Sequence, residues 1–206
     1  MILRVVSGRV PAGQLDAVVD DYRRAYVPVA RRTAGLDRYA VAARPASVGG
    51  HELAAMTIWS TVEAALAAYE GDLAAVRTLD ARSHGETLSR VDYYEVDEGA
   101  ARHQSGRPTR LRLTAGTVAR GLDAELQQEL RRHLPELPVE AIEAYVGRRV
   151  LGAAVEIAFV STWSAAPDGV DLEMPLWPAI VDRYEVFRVA VHDILVEGAG
   201  GARRRS

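Results

Sequence analysis

The most constraining feature of this chain is that its sequence repeats itself once. A strand-like stretch, LRVVSGRV at residues 3–10, is followed by LDA at residues 15–17. The same pair returns as LRLTAGTV at residues 111–118 and LDA at residues 122–124. An internal match of this kind predicts a small domain that has been duplicated and fused.

Two further pairs of segments follow in the same order. ELA shortly before Trp59 returns as EIA shortly before Trp163, and YEV at residues 94–96 returns at residues 184–186. The offsets are roughly 90 to 110 residues, far longer than the period of a solenoid repeat. The 206 residues are therefore expected to form two small domains rather than one large one.

Each copy shows the same order of predicted elements. Alternating and β-rich stretches predict strands, and apolar residues at helical spacing predict helices. In the first copy the predictions are a strand at 2–10, a helix from Leu15 to Gly35, strands at 38–44 and 51–59, a helix at 61–76 and a strand at 87–96. In the second copy they are a helix carrying Leu122, Leu126, Leu130 and Leu134, a hairpin at 141–163, a helix weakened by prolines, and a strand at 184–194.

This order predicts an α+β protein built from two tandem ferredoxin-like βαββαβ units. The predicted boundaries are a first domain at 1–97, a linker at 98–109, a second domain at 110–197 and a disordered tail at 198–206. A ferredoxin-like sheet carries helices on one face only, so two copies can cover each other's bare face. We therefore expect a barrel-like pair of sheets with the helices outside.

Composition excludes several classes of chemistry. The chain has no Cys, Lys or Asn, so it has no disulfide, no thiol nucleophile and no Schiff-base lysine. Its histidines show no metal-ligand spacing, and we expect no metal site and no cofactor. The net charge of -3 favours neither nucleic acid nor an anionic membrane, and no early apolar run forms a signal sequence. We expect a cytoplasmic protein with a small-molecule partner.

Three segments resemble the antibiotic biosynthesis monooxygenase superfamily. They are the AGL turn at residues 34–36, the hairpin after it, and TIWSTVEAAL at residues 57–66, in which a strand ends in Trp before an Ala-rich helix. The resemblance implies a dimeric α/β-barrel fold, here as an intramolecular dimer. The chain would then be a monomer with an internal pseudo-dimer, or a homodimer. Members include cofactor-free oxygenases of aromatic polyketides and haem-degrading enzymes.

The resemblance also distinguishes between these activities. The haem-degrading members use an Asn, a Trp and a helical His that binds iron, whereas this chain has no Asn and carries Tyr69 at the helical position. Haem degradation of that type is therefore not expected. The oxygenases of anthrones also use an Asn near the Trp, which is equally missing.

Several side chains are candidates for a site. Trp59 and Trp163 lie at the ends of equivalent strands. They could line an aromatic pocket and donate an indole N–H to a substrate oxygen, or they could be core residues that pack between sheet and helix. Either His84, before the last strand of the first copy, or His192 could act as a general base, because imidazole titrates near neutral pH. The proposed catalytic residues are His84, Trp59 and Tyr69, and the proposed substrate-binding residues are Tyr22, Tyr26, Tyr93 and Trp163. Ordinary core packing is the alternative for each.

Three functions remain open from the sequence. The first is a cofactor-independent monooxygenase or tailoring enzyme for an aromatic, polyketide-like or quinol substrate. The second is a protein that binds a small hydrophobic or haem-like ligand without turnover. The third is a scaffold with no ligand. We expect the better-formed site in the first copy, because prolines follow Trp163 but not Trp59.

Overall fold

The structure is a computed structural model with few helices and an antiparallel arrangement of strands. It describes residues 1–70, 85–96, 107–119, 121–137, 140–150, 155–164 and 183–200. The strands are β1 (Ile2–Val10), β2 (Leu36–Pro45), β3 (His51–Trp59), β4 (Thr87–Val96), β5 (Arg110–Val118), β6 (Ala141–Arg149), β7 (Glu156–Trp163) and β8 (Tyr184–Ala199). The α-helices are α1 (Leu15–Asp21), α2 (Val27–Ala30), α3 (Val62–Glu70) and α4 (Asp123–His133).

The chain divides into two compact units that are described separately below. The first unit holds residues 1–93 and 192–206, and the second holds residues 94–191. These bounds differ from the predicted domains, because β4 and β8 are each divided between the two units.

In the first unit the strand order is β4-β1-β3-β2, and the final part of β8 lies beside β2. β3 pairs antiparallel with both β1 and β2, so Arg4, Thr57 and Tyr39 form one row across the three strands. The order is that of the predicted βαββαβ unit. The predicted strands at 2–10, 51–59 and 87–96 are confirmed.

In the second unit the first part of β8 precedes β5, β7 and β6, and the last residues of β4 pair with β6. β7 pairs antiparallel with β5 and β6, which places Arg112, Ser161 and Ala144 in one row. Helix α4 buries Leu126 and Leu130 completely. The second helix predicted for this copy lies outside the described residues.

The two hairpins have matching registers. In the first, the pairing shifts between Leu36 and Arg38 opposite the end of β3, and in the second it shifts between Ala141 and Glu143 opposite the end of β7. Such a β-bulge adds a residue to one strand and re-aims the chain beyond it. The bulge lies opposite Trp59 in one unit and Trp163 in the other.

The register corrects the third sequence match. Tyr94 pairs with Arg149 on β6, whereas Asp193 pairs with Ala43 on β2. When the two hairpins are aligned, the residue equivalent to Tyr94 is therefore His192. It is not Tyr184, as the repeated YEV letters indicate.

Residues 198 and 199, which were predicted to open a disordered tail, belong to strand β8. Strand β8 continues to Ala199, which pairs with Arg38, and the Gly200 N–H donates to the Asp37 carbonyl at 3.0 Å. The glycines at 198 and 200 are typical of a loop, but backbone hydrogen bonds fix their positions beside β2. Residues 201–206 lie outside the described part of the chain.

Across the described ranges of the chain, none of the helices has the length and apolarity needed to cross a bilayer.

Candidate functional site

The helix-facing side of the first sheet carries a layer of aromatic residues. A buried cluster joins sheet residues Tyr39 and Trp59 to helix residues Tyr26 and Ala65. The alternation of a strand places Arg4 on this same side, because it lies in register with Thr57 and Tyr39. The aromatic layer is defined here as Tyr22, Tyr26, Tyr39, Trp59, Tyr69 and Tyr93.

A break in the first helix positions two of these tyrosines. Residues Tyr22–Tyr26 form a π-helical turn between α1 and α2, in which the Val27 N–H donates to the Tyr22 carbonyl five residues back. Pro28 follows at the start of α2 and has no N–H to extend the regular pattern. Turns of this type often occur at functional sites. Here the turn sets the Tyr22 and Tyr26 rings 5.6 Å apart, edge to face.

A glycine positions helix α3, which carries Tyr69. Gly35 adopts φ +79°, and a Cβ there would lie 2.8 Å from the Ala64 Cβ. The Ser60 N–H donates to the Gly35 carbonyl at 2.8 Å, which ties the end of β3 to the same turn. Only glycine combines this backbone angle with such a close approach. The AGL turn therefore holds α3 against the sheet.

Tyr69 connects the layer to Arg4. Its ring lies 5.7 Å from that of Trp59, edge to face, and its hydroxyl lies 3.4 Å from the Tyr26 hydroxyl. The Arg4 guanidinium carbon lies 3.6 Å from the centre of the Tyr69 ring, a cation–π contact. The Arg4 Nε–H also donates to the Tyr93 hydroxyl at 3.2 Å.

Tyr26 stays neutral in this setting. Burial raises its pKa well above the ordinary value, and the neighbouring Tyr69 adds to the shift while Arg4 opposes it. Its hydroxyl is therefore a hydrogen-bonding group and not a base at neutral pH. Tyr22, half-buried at the other end of the turn, donates to Glu86 Oε1 at 3.4 Å.

Tyr39 places a second buried hydroxyl in the layer. Its ring lies 5.8 Å from that of Tyr26, and the side chain is 2% exposed. Among the residues that the structure describes, its hydroxyl has no hydrogen-bond partner. The hydroxyl lies over Gly198, where a Cβ would be only 2.4 Å away. A buried unpaired hydroxyl is uncommon and marks a place where a ligand or water can bind.

The structure brings together most of the candidates from the sequence. Trp59, Tyr69, Tyr22, Tyr26 and Tyr93 all lie in the aromatic layer of the first unit. The Trp59 indole N–H donates to Thr57 Oγ1 at 2.8 Å, so donation to a ligand would require that bond to break. Their roles toward a ligand stay predictions.

Three further candidates lie elsewhere. Trp163 belongs to the second unit, where its N–H donates to Ser161 Oγ at 2.9 Å. His84 lies outside the described residues. His192 is 4% exposed, and burial, followed by the nearby Arg44, lowers its pKa to about 4.

Sequence reasoning missed Arg4 and Tyr39. Arg4 is not among the candidates from the sequence, although the alternation of side chains along β1 places it on the helix-facing side together with Ile2 and Val10. A charged residue at an inward position of a strand was the available signal. For Tyr39 no signal existed, because its contacts with Tyr26 and Gly198 depend on tertiary packing.

The second unit carries a different polar cluster. Glu156, 2% exposed, accepts hydrogen bonds from the Tyr94 hydroxyl at 2.6 Å and from Arg188 at 2.7 Å, and Arg149 lies 3.7 Å away. Burial raises the pKa of Tyr184. Burial also lowers the pKa of Arg112, which is 2% exposed, to about 10.

The described ranges contain no group of three His, Asp or Glu side chains that could hold a metal ion. The aromatic layer combines rings in edge-to-face contact, several phenol hydroxyls and one buried cation, Arg4. This combination can hold a planar molecule that bears oxygen atoms.

Comparison with known proteins gives fold similarity and no family. No family model matches the chain, and no curated protein matches it. A proposed monooxygenase from Fusobacterium nucleatum is similar in structure, with a TM-score of 0.77, 11% identity, and coverage of 98% of this chain and 95% of that one. A proposed monooxygenase from Lactobacillus acidophilus is also similar, with a TM-score of 0.66 and 9% identity over 98% of this chain and 97% of that one.

An anthrone oxidase-like protein is also similar, with a TM-score of 0.62 and 14% identity over 98% of this chain and 94% of that one. At these identities the likeness establishes the fold alone. The α+β fold predicted from the sequence is therefore shared with solved proteins over nearly the whole chain.

Proposed function

We propose that this protein is a cofactor-independent monooxygenase that oxidises a planar hydroxylated aromatic molecule, such as an anthrone or a quinol. The observation that carries the proposal is the aromatic layer around Tyr69, with its neutral hydroxyls and the buried Arg4. The monooxygenase-like names of the similar structures agree with it.

The chemistry is carried by the substrate. In an anthrone, loss of a proton from the CH₂ group gives an electron-rich carbanion, which transfers one electron to dioxygen; the two radicals then combine into a peroxide anion, which takes the proton back from the protonated base. Loss of water from the peroxide leaves a carbonyl. A CH₂ group and O₂ thus give C=O and H₂O, so one oxygen atom enters the product and no external reductant is needed.

The described residues contribute orientation and electrostatics. Trp59 and Tyr69 supply aromatic surface for the substrate ring, and Tyr26 and Tyr69 supply hydroxyls that hydrogen-bond the developing oxyanion. Tyr26 remains protonated, because burial raises its pKa, and so it can donate. The base stays a prediction, with His84 as the candidate.

We also propose that the chain arose by tandem duplication. The support is the shared strand order, the bulge at the same register position, and the indole hydrogen bonds of Trp59 and Trp163. Duplication followed by divergence leaves one site free to specialise, which agrees with an aromatic layer in the first unit.

Oxygen uptake with a panel of anthrones and hydroquinones tests the activity. Uptake should persist in a chelator and rise with pH through an apparent pKa shared by base and substrate. Tyr69→Phe should lower the rate by about tenfold, the value of one hydrogen bond to a charged group. Tyr145→Phe removes a hydroxyl that donates to Glu143 at 3.2 Å in the second unit, and serves as control.

Uptake abolished by the chelator, or restored only by added flavin, would contradict the proposal. So would an equal loss from the two tyrosine variants. A second candidate function is ligand binding without turnover, which the neutral state of Tyr26 favours, because a neutral hydroxyl binds without removing a proton. Saturable binding with no oxygen uptake would select that function.

A further inference from the structure

Arg4 is a buried cation in an aromatic setting. Its side chain is 3% exposed, and it lies on β1 on the helix-facing side of the sheet. The Tyr69 ring covers its guanidinium at 3.6 Å, and Tyr93 accepts from its Nε–H at 3.2 Å. Both neighbours are hydroxyl-bearing rings that contact the guanidinium.

The described residues provide no carboxylate for this cation. Other arginines pair with acids: Arg44 with Glu52, Arg148 with Asp123, and Arg183 with Glu129. Within the described ranges Arg4 forms no such pair, and its terminal nitrogens donate no hydrogen bond. A guanidinium carries five N–H donors, and burial of a charge is strongly unfavourable unless an anion compensates it.

The setting of Arg4 suits a delocalised oxygen anion. Planar guanidinium groups bind oxyanions through two parallel N–H donors, and these bonds strengthen when the surroundings are apolar. The rings of Tyr69 and Tyr93 lie beside the cation, at 3.6 and 5.8 Å from the guanidinium carbon, and favour an aromatic ligand over a compact inorganic ion. The hydroxyl of Tyr39, buried and unpartnered among the described residues, lies in the same register row as Arg4 and adds a donor.

We propose that Arg4 is the counter-ion for an aromatic ligand bound in its ionised form, as a phenolate or enolate. The inference rests on the proposed function and deepens it, because it names the charge state that the site selects. Arg4 stabilises the anion that reacts with oxygen, and Tyr69 and Tyr93 fix the direction of the guanidinium. Neutral aromatic hydrocarbons and ethers are consequently poor ligands.

Binding of a matched pair of probes tests the inference without turnover. Lawsone is a hydroxynaphthoquinone whose anion absorbs visible light, and its methyl ether has the same rings but cannot ionise. Neither can be oxidised at a CH₂ group, so oxygenation does not interfere. The natural protein should bind the lawsone anion about tenfold or more tightly than the ether, and the bound probe should show a lowered apparent pKa.

The variants separate charge recognition from structure. Arg4→Gln should weaken lawsone binding by about 10- to 100-fold and change ether binding by less than about twofold. Arg4→Lys should recover part of the loss, since the charge remains but the planar fork does not. Arg112→Gln, at the register position equivalent to Arg4 in the second unit, is the matched control and should leave both affinities unchanged.

Several outcomes would overturn the inference: no saturable binding of either probe, a preference for the ether, or an equal loss of both probes in Arg4→Gln. If the Arg4 variants do not fold, the pKa of the probe bound to the natural protein decides, and an unchanged or raised value would overturn the inference. Anion binding without any oxygen uptake would retain the role of Arg4 and reject the oxygenase function.

Discussion

The first and second units share a framework but differ in what lies on its helix-facing side. In both, a Trp ends the third strand of the unit, and its indole N–H donates to a hydroxyl two residues earlier, at 2.8 Å to Thr57 and 2.9 Å to Ser161. In both, an arginine lies in register with that hydroxyl. The strand framework alone therefore does not define a site.

The difference lies in the residues around this framework. The row that contains Tyr39 in the first unit contains Ala144 in the second. The first helix presents Tyr26 from a π-helical turn in the first unit, whereas α4 presents Leu126 and Leu130 from a regular helix in the second. At these positions the first unit has hydroxyl-bearing rings where the second has aliphatic side chains. The described residues therefore favour a ligand site in the first unit.

A second difference concerns two carboxylates at equivalent positions, of which Glu156 is buried and Glu52 is partly exposed. Glu156 accepts from the Tyr94 hydroxyl and pairs with Arg188, while Glu52 pairs with Arg44 near His192. Tyr94 and His192 occupy equivalent register positions. The phenol of Tyr94 does not titrate in mild acid, whereas the imidazole of His192 does, so the pH dependence from His192 should have no counterpart at Tyr94.

The largest expected effects come from the two tryptophans. Trp59→Ala and Trp163→Ala should each lower the free energy of unfolding by about 3–5 kcal/mol, because each leaves a cavity in the core. Urea denaturation measures this loss. The milder Trp59→Phe and Trp163→Phe should differ in lawsone binding, with a loss only for Trp59. A larger loss from Trp163→Phe would move the site to the second unit.

The next effect is a pH dependence that belongs to His192. Its pKa is lowered to about 4 in the folded state, so the unfolded chain binds more protons between pH 4 and its ordinary pKa of 6.5. Stability should therefore be fully present above pH 6.5 and fall by at most about 3 kcal/mol as the pH approaches 4.

His192→Gln should remove this slope, measured as urea midpoints across that pH range. His133→Gln, at the end of α4, is the matched control and should retain it. A slope that persists without His192 would assign the titration to other groups, and the contrast with Tyr94 would lose its basis.

A smaller effect separates two buried tyrosine hydroxyls. Tyr94→Phe should destabilise the protein by about 1.5–3 kcal/mol, because it removes a hydrogen bond to a buried carboxylate. Tyr39→Phe should change stability by less than about 0.5 kcal/mol, since no described group bonds its hydroxyl. Thermal and urea unfolding of the pair measure the difference, and similar values would show that the Tyr39 hydroxyl has a partner.

The smallest expected effect compares the indole acceptors. Thr57→Val and Ser161→Ala should each cost about 1–2 kcal/mol, because each leaves a buried indole N–H unsatisfied. The two losses should agree within about 0.5 kcal/mol if the framework is equivalent in both units. A clear inequality in chemical denaturation would show that the tryptophans are held differently.

Local sequence patterns determined much of the secondary structure of this protein. Alternation and turn glycines were sufficient for β1, β3 and β4, and helical spacing was sufficient for α4 with Leu126 and Leu130. The TIWSTVEAAL segment likewise indicated a strand that ends in Trp59 and a helix after it, as observed for β3 and α3. Such features depend on neighbours in the chain, which the sequence displays directly.

Tertiary structure decided the features that link distant segments. The register of β8 placed His192, and not Tyr184, at the position of Tyr94, because strand pairing follows hydrogen bonds to β2 and β6 rather than matching letters. The extension of β8 to Ala199 depended on the same pairing. Arg4 met Tyr69 and Tyr93 only because β1, α3 and β4 pack together, which a one-dimensional pattern does not specify.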